Sequence, residues 1–343
     1  MIVLVIWMRV KLYFENEKAI KKSGIGRALE HQKKALELNH VEYTLDHFDN
    51  DYDILHVNTI YFLSYQQIRK AKKKNKKVVF HAHSTKEDFK NSFMFSNALA
   101  PIYHRWLVFM YKKADAIITP TPYSKSLLKS YGLKQSIYAI SNGIETETFK
   151  KDVVKEAKFK EYFNFDNNQK VIISVGWLFE RKGFDTFCEV ATLLPEYTFI
   201  WFGDKNLSMP SKKIRDLIEQ PPSNVILPGY IDGDIIIGAY TSADLFFFPS
   251  REETEGIVVL EALASNISVL VRDIPVYKDW LEDKINCYMG NDTEEFVKLI
   301  KQILNNELEN LSPMGHQVAM ERSLDSIGKK MIDVYSNTLR KKE

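Results

Sequence analysis

The chain of 343 residues is 45% hydrophobic and 27% charged with a formal net charge of +2, the balance of a soluble globular protein and not of a disordered one. Its length suits two domains of roughly 100 to 200 residues each. No segment reaches the roughly 18 to 20 consecutive apolar residues of a membrane-spanning helix. The two cysteines, Cys188 and Cys287, lie far apart with no metal-like spacing, which fits a reduced, cytoplasmic setting.

"MIVLVIWM" reads as a first buried strand: no basic residues precede it and no small-residue cleavage site follows, so a signal peptide is not expected. Helical periodicity over residues 24 to 38, a strand in "YDILHVN", a helix over 64 to 74 and a strand in "KKVVFHAH" then alternate as parallel βαβ units do. The runs "ADAIITPT" and "SIYAISNGI" continue the pattern toward residue 150. Residues 150 to 170, "KKDVVKEAKFKEYFNFDNNQK", are polar and charged enough to be a connection. The pattern restarts with "KVIISVG", "YTFIWFGD", "NVILPGYI", "ADLFFFPS" and "ISVLVRD". The expected fold is therefore α/β, with one doubly wound, Rossmann-like domain over residues 1–150 and a second over 151–323. Such sheets bind ligands beyond the carboxyl ends of their strands, which predicts a cleft where the two domains face each other.

Three segments place glycine where a strand hands over to a helix. "KKSGIGRALEHQKKALEL" has Gly24 and Gly26, "SVGWLFERKGFDTF" has Gly176 and Gly183 with Arg181 and Lys182 between them, and "EETEGIVVLEALA" has Gly256. Glycine lets backbone approach a ligand closely, and a helix N-terminus offers free amides to a phosphate; glycines beside a helix are also ordinary caps. In the third segment Glu253 and Glu261 stand eight apart around Gly256, the second in the middle of an apolar run where packing alone would not put an acid.

This pair in "ETEGIVVLE", followed by "ALASNISVLV", together with "ISNGIETETF", "VGWLFERKG" and the "GYI" after "NVILP", resembles the family 4 retaining glycosyltransferases of GT-B fold over nearly the whole chain. The resemblance implies that Glu261 binds the ribose hydroxyls of a sugar nucleotide and that Glu253 lies beside the donor sugar. It implies that the backbone at Gly256, Ile257 and Val258 faces the donor sugar and diphosphate. Lys182, assisted by Arg181, would neutralise the leaving diphosphate, and Gly24 and Gly26 would approach the same phosphates. His83 would contact the donor sugar, His81 being structural, and a last helix over 324–343 would cross back to the first domain. Many family members carry arginine directly after the first glycine of G-R-x-x-x-x-K-G, whereas this sequence has Trp177, a departure that bears on phosphate binding.

Breaking an anomeric bond to a nucleotide diphosphate builds negative charge on the leaving group and positive charge on the sugar ring. Cations on one side and a carboxylate on the other serve both. No covalent nucleophile is identifiable, and Glu253 is assigned electrostatic support. "DNDYD", residues 49 to 53, leads directly into a buried strand, so no metal is expected, nor any cofactor beyond a nucleotide-sugar donor, UDP-glucose by family preference.

Residues 1 to 150 hold 24 Lys and Arg against 14 Asp and Glu, and the remainder holds 23 against 31, so the first half is expected to face an anionic partner. "RKAKKKNKK" supplies Arg69, Lys70, Lys72, Lys73, Lys74, Lys76 and Lys77, and residues 89 to 113, which include Trp106, are rich in aromatics and methionine. Basic residues beside an aromatic amphipathic stretch mark a segment lying in a membrane interface. The plainer reading is a core helix followed by a solvated face. "HSTKEDFKNSF", "TPTPYSKSLL", "FIWFGD" and "LVRDIPVYKDWL" are similar to bacterial diacylglycerol glucosyltransferases, which make mono- or diglucosyl membrane lipids. That similarity implies an enzyme bound peripherally to the inner face of the cell membrane, with an anionic lipid surface and a lipid acceptor as partners. A transferase of the same fold acting on a polysaccharide or polyprenyl-linked acceptor would work without a lipid surface. An inactive membrane- or nucleic-acid-binding module is the third reading; the lysine run lacks a nucleic-acid motif, so no nucleic-acid partner is expected.

Overall fold

The computed structural model describes residues 8–16, 23–93, 95–166, 169–205 and 210–340. Strands β1 (Arg9–Tyr13), β2 (Glu42–Thr44), β3 (Ile54–Val57), β4 (Lys77–His81), β5 (Ala116–Thr119) and β6 (Ser136–Ala139) form one sheet in the order β2-β1-β3-β4-β5-β6. Strands β7 (Val171–Val175), β8 (Thr198–Phe202), β9 (Val225–Gly229), β10 (Leu245–Phe248), β11 (Val269–Arg272) and β12 (Tyr288–Gly290) form a second in the order β12-β11-β10-β7-β8-β9. All pairings between these strands are parallel. The strand order reverses between β1 and β3 in the first sheet and between β7 and β10 in the second, the switch point of a doubly wound α/β sheet.

The chain divides into two compact units, one of Met1–Lys86, Ala100–Gly143 and Arg322–Glu343, the other of Glu87–Leu99 and Ile144–Glu321. In the first unit the strand pleat sorts apolar residues onto two faces. Leu55, Val57, Val78, Phe80 and Ile117 pack with Leu107 and Met110 on one. Ile54, Val79 and Ile118 pack with Ile327, Met331, Val334 and Tyr335 of the helix Leu324–Arg340 on the other. A parallel sheet covered on both faces needs such unbroken apolar runs, which is why these strands read as continuous and not alternating. The core of the second unit gathers Ile172, Phe187, Phe199, Trp201 and Phe247 with Phe296 and Ile300.

The structure departs from the sequence reading in three places. The first described strand is Arg9–Tyr13, and residues 1–7 of the expected strand lie outside the described residues. Residues 150–170 are no simple connection: Asp152 caps an eleven-residue helix, Val153–Phe163, that packs against the helix Asp234–Ser242 and buries Phe159. Its single buried position was too little apolar signal to reveal it. Residues 87–99 belong with the second unit, although they precede residue 150.

Candidate active site

β7 delivers the chain to Gly176, and the loop that follows ends at Gly183, the N-cap of the helix Phe184–Leu193. Gly183 holds φ at +77°, and a Cβ there would come 2.2 Å from the Pro249 carbonyl oxygen. Only glycine lets the loop lie so close to the end of β10. That approach carries Lys182 to the turn after β10, where its Nζ donates to Glu253 Oε1 at 2.5 Å and the Ser250 hydroxyl donates to the same oxygen at 2.8 Å. The two charged side chains are only 14% and 7% exposed. Burial by itself would raise Glu253, but the Lys182 ammonium, the Arg181 guanidinium and both hydrogen bonds hold its carboxyl below the ordinary value. Burial draws the Lys182 ammonium down, against the pull of Glu253.

Arg181 is less available than its neighbour. Its Nε donates to Ser92 Oγ at 2.9 Å and its Nη1 to the Glu252 carbonyl at 2.8 Å, so the guanidinium clasps residues of the same unit while its charge still reaches Glu253. Trp177 stacks on Phe179 with ring centroids 5.7 Å apart and brings no charge where the family pattern has one.

Gly256, at φ +92°, turns the chain into the helix Ile257–Ala264. The leading amides of a helix have no intrahelical acceptor, so Ile257 and Val258 begin an anion-binding end. Glu261 lies one turn further in, 3% exposed, with the Tyr240 hydroxyl donating to its Oε2 at 2.8 Å. The eight-residue spacing thus sets one carboxylate in the turn before the helix and the other inside it. Neither the Lys182 partner of Glu253 nor the Tyr240 partner of Glu261 was visible in the sequence, because each comes from a different strand-end loop or helix.

Residues 22–148 match Glycosyltransferase Family 4 and residues 155–318 match Glycosyl transferases group 1. The chain is 44% identical to the processive diacylglycerol alpha-glucosyltransferase of Acholeplasma laidlawii, over 97% of this chain and 99% of that protein. It is a family 4 glycosyltransferase. The glycosyltransferase is also 24% identical to the alpha-galactosylglucosyldiacylglycerol synthase of Streptococcus pneumoniae, over 82% of this chain and 77% of that one. Its fold matches Anabaena Alr3699/HepE, solved in complex with UDP-glucose, at a TM-score of 0.76 and 16% identity over 96% of this chain and 100% of the other. The sucrose-phosphate synthase from Thermosynechococcus elongatus matches at 0.72 and 17% identity, over 95% and 80%. The fold is GT-B, as the sequence resemblance implied.

The glycosyltransferase places its other expected site residues in the first unit. Ser23 caps the helix Gly24–Leu38 by accepting from the Gly26 amide at 3.4 Å, so that amide is already engaged; a Cβ at Gly24 would meet nothing within 4 Å. His83 is 9% exposed, its ring stacked on His81 at 4.2 Å, and His81 stacked on His56 at 5.3 Å. Burial drives His83 and His56 down to about 3, so both rings are neutral at physiological pH. His56 went unremarked in the sequence, although like His81 it sits on a strand beside the switch point.

The basic run divides in the structure. Lys70, Lys72 and Lys73 fill the last turn of the helix Phe62–Lys73, where cations also answer the helix dipole, and Lys72 pairs with Asp115 at 2.5 Å. Lys76 lies over the Tyr52 ring, while Arg69, Lys73 and Lys74 are exposed, and Lys77 opens β4. Arg69 lies over Tyr65, which meets Phe109 at 5.3 Å; Phe109 stacks on Trp106 at 5.4 Å and has the Lys113 ammonium over its ring at 4.7 Å. The Trp106 indole donates to the Ile60 carbonyl at 2.6 Å. Beside this cluster the same unit exposes Phe62 at 63% and Ile102 at 68%. No helix among the described residues is long and apolar enough to cross a membrane.

Proposed function

We propose that the enzyme transfers glucose from UDP-glucose, with retention at the anomeric carbon, to a hydroxyl of diacylglycerol or monoglucosyldiacylglycerol in a membrane. The identity of 44% to the Acholeplasma protein, spanning almost the whole of both chains, carries this reading. Glu261 receives the ribose hydroxyls, with Tyr240 fixing the orientation of its carboxylate. The amides of Ile257 and Val258 meet the diphosphate, whose charge suits the positive end of that helix. As the C1–O bond breaks, Lys182 meets the charge growing on the departing phosphate and Glu253 meets the positive charge on the ring. The acceptor oxygen bonds to C1 on the face the phosphate leaves, and the acceptor proton goes with the phosphate. His83 contacts the sugar. No metal and no cofactor enters the scheme.

The first unit docks on an anionic lipid surface through the exposed Phe62, Leu63, Ile102 and Trp106, with Arg69 and Lys113 flanking them toward the headgroups. This moves the weight of the membrane contact from the lysine run, where Lys72 is paired within the fold, to the aromatic cluster. The test is transfer from radiolabelled UDP-glucose to anionic liposomes containing diacylglycerol or monoglucosyldiacylglycerol, each separately. Labelled glycolipid is expected. Labelled product from a soluble glycan acceptor, with none from either lipid while the donor still binds, would overturn the acceptor.

A further inference from the structure

Lys182 faces a turn that carries more than one carboxylate. The turn reads "SREETEG", so Glu252 stands one residue before Glu253 and Glu255 two residues after it. Glu252 is half-buried and keeps more of its water than Glu253, which is 6% exposed. The loop that carries Lys182 runs from Gly176 to Gly183, and glycine at both ends lends it no stiffness of its own. The four-carbon stem of lysine adds further freedom. The choice of Glu253 therefore has to be imposed from outside the pair.

Three consecutive residues of the loop show how, all within the second unit. The Arg251 guanidinium donates to the Glu180 carbonyl, the Arg181 guanidinium to the Glu252 carbonyl at 2.8 Å, and the Lys182 ammonium to the Glu253 carboxylate at 2.5 Å. Each contact joins residues 71 apart. Two segments that run the same way and keep one offset form a parallel ladder, and these two leave neighbouring parallel strands, β7 and β10. The Arg251 amide adds a backbone bond, donating to the Arg181 carbonyl at 2.8 Å. A slip of one residue would set Lys182 against Glu252 in one direction and Thr254 in the other.

Arg251 fastens this ladder. Its fork meets Asp185 with both nitrogens, Nη1 to Oδ1 at 2.7 Å and Nη2 to Oδ2 at 3.0 Å, and Nη2 also reaches Thr186 Oγ1 at 3.0 Å. Such a bidentate pair is directional as well as strong. Asp185 stands in the first turn of the helix Phe184–Leu193, where an acid suits the helix dipole. Burial of its side chain pushes the carboxyl up, but Arg251 and Lys213 hold it below the ordinary value. Arg251 thus bolts the turn bearing Glu253 to the helix that begins just after Lys182.

We propose that Arg251, anchored on Asp185, is a positioning residue that holds the two segments in the register pairing Lys182 with Glu253 and not with Glu252. Its effect on transfer rests on the reading that Lys182 meets the departing phosphate; the register does not.

The experiment is acetic anhydride labelling of the full chain, read lysine by lysine by mass spectrometry, in wild type and Arg251→Met. Asp185 keeps Lys213 at 2.6 Å in that variant, so its carboxylate is not left alone. Lys182, 14% exposed in the pair, should be acetylated several-fold faster once the register is released, with the circular dichroism unchanged. The kcat should fall about a hundredfold, the loss typical of a group displaced by an ångström, while the KM for UDP-glucose changes little. Added to Lys182→Met, Arg251→Met should cost far less than it does in wild type. Asp185→Asn, whose amide accepts through one atom only, should move both readouts the same way to a smaller degree and serves if Arg251→Met does not fold. An unchanged Lys182 labelling rate in both variants would overturn the proposal, as would an equal loss of kcat with and without Lys182. Wild-type kcat in Lys182→Met would instead sink the role of the ammonium at the phosphate and leave the register standing.

Discussion

Replacing Lys182 by methionine removes the ammonium and leaves the Glu253 carboxylate in a place where it is 6% exposed and keeps the Ser250 hydroxyl as a hydrogen-bond donor. Losing one partner of a buried ion pair costs about 3–5 kcal/mol, because the remaining charge has lost its water and its hydrogen-bonded counter-charge, the Arg181 guanidinium acting on Glu253 without a hydrogen bond to it. The pH dependence makes the cause visible. In wild type the folded-state value of Glu253 is depressed, so its contribution is present above the unfolded value of about 4.3 and is lost as pH falls through the folded one. In Lys182→Met, burial opposed by the Arg181 guanidinium and the Ser250 hydroxyl without the ammonium moves that value up from its wild-type level. The penalty is then full at pH 7.5 and shrinks as acid protonates the carboxyl, so the gap between the two proteins narrows toward pH 5. Urea unfolding of wild type, Lys182→Met and Lys182→Met/Glu253→Gln at both pH values measures this, and the double variant should regain most of the loss. A single-variant loss under about 1 kcal/mol, or a gap that stays constant with pH, would refute the reasoning.

Glu261→Gln should weaken uridine nucleotide binding at least tenfold by calorimetry while the thermal midpoint changes little, since Tyr240 can still donate to the amide oxygen. Gly183→Ala places a methyl 2.2 Å from the Pro249 carbonyl at a positive φ, so the loop carrying Lys182 must shift; kcat should fall by roughly 10²–10³, the loss typical of a misplaced charge-stabilising group, more than the change in donor affinity. Phe62→Ser combined with Ile102→Ser should abolish co-sedimentation with anionic liposomes and leave hydrolysis or exchange of UDP-glucose in solution intact. Lys73→Gln/Lys74→Gln should reduce the same co-sedimentation less, and the reduction should vanish at high salt.

The alternation of strands and helices was legible because buried parallel strands such as Ala116–Thr119 and Leu245–Phe248 are unbroken apolar runs. The first strand was harder. Lys11, fully buried in its centre, looks like a strand terminator until its ammonium is seen donating to the carbonyls of His47 at 2.7 Å and Asp49 at 3.0 Å. The acidic stretch before β3 likewise proves structural: Arg9 pairs with Asp49 at 2.9 Å, and the Asp53 carboxylate accepts the Arg9 amide at 2.9 Å. Glu253, Glu261 and Lys182 stood out in the sequence through their spacing and family pattern as candidates. What they bond did not, since Lys182 and Glu253 are 71 residues apart and meet only through the tight passage at Gly183. The stacked histidines are the extreme of this, with His56 hydrogen-bonded to Tyr335 across 279 residues, a separation no local pattern records.

The helix Leu324–Arg340 fills one face of the first sheet with Ile327, Met331, Val334 and Tyr335. On the ribosome, that face is made long before its cover. About 180 residues, the larger segment of the second unit, are synthesised between Gly143 and Arg322. At roughly 5 to 20 residues per second the exposed strands wait some ten to forty seconds. The unit begun first is thus completed last, after the inserted one has had time to fold, and a nascent chain halted before Leu324 carries an open apolar face that invites chaperones or aggregation.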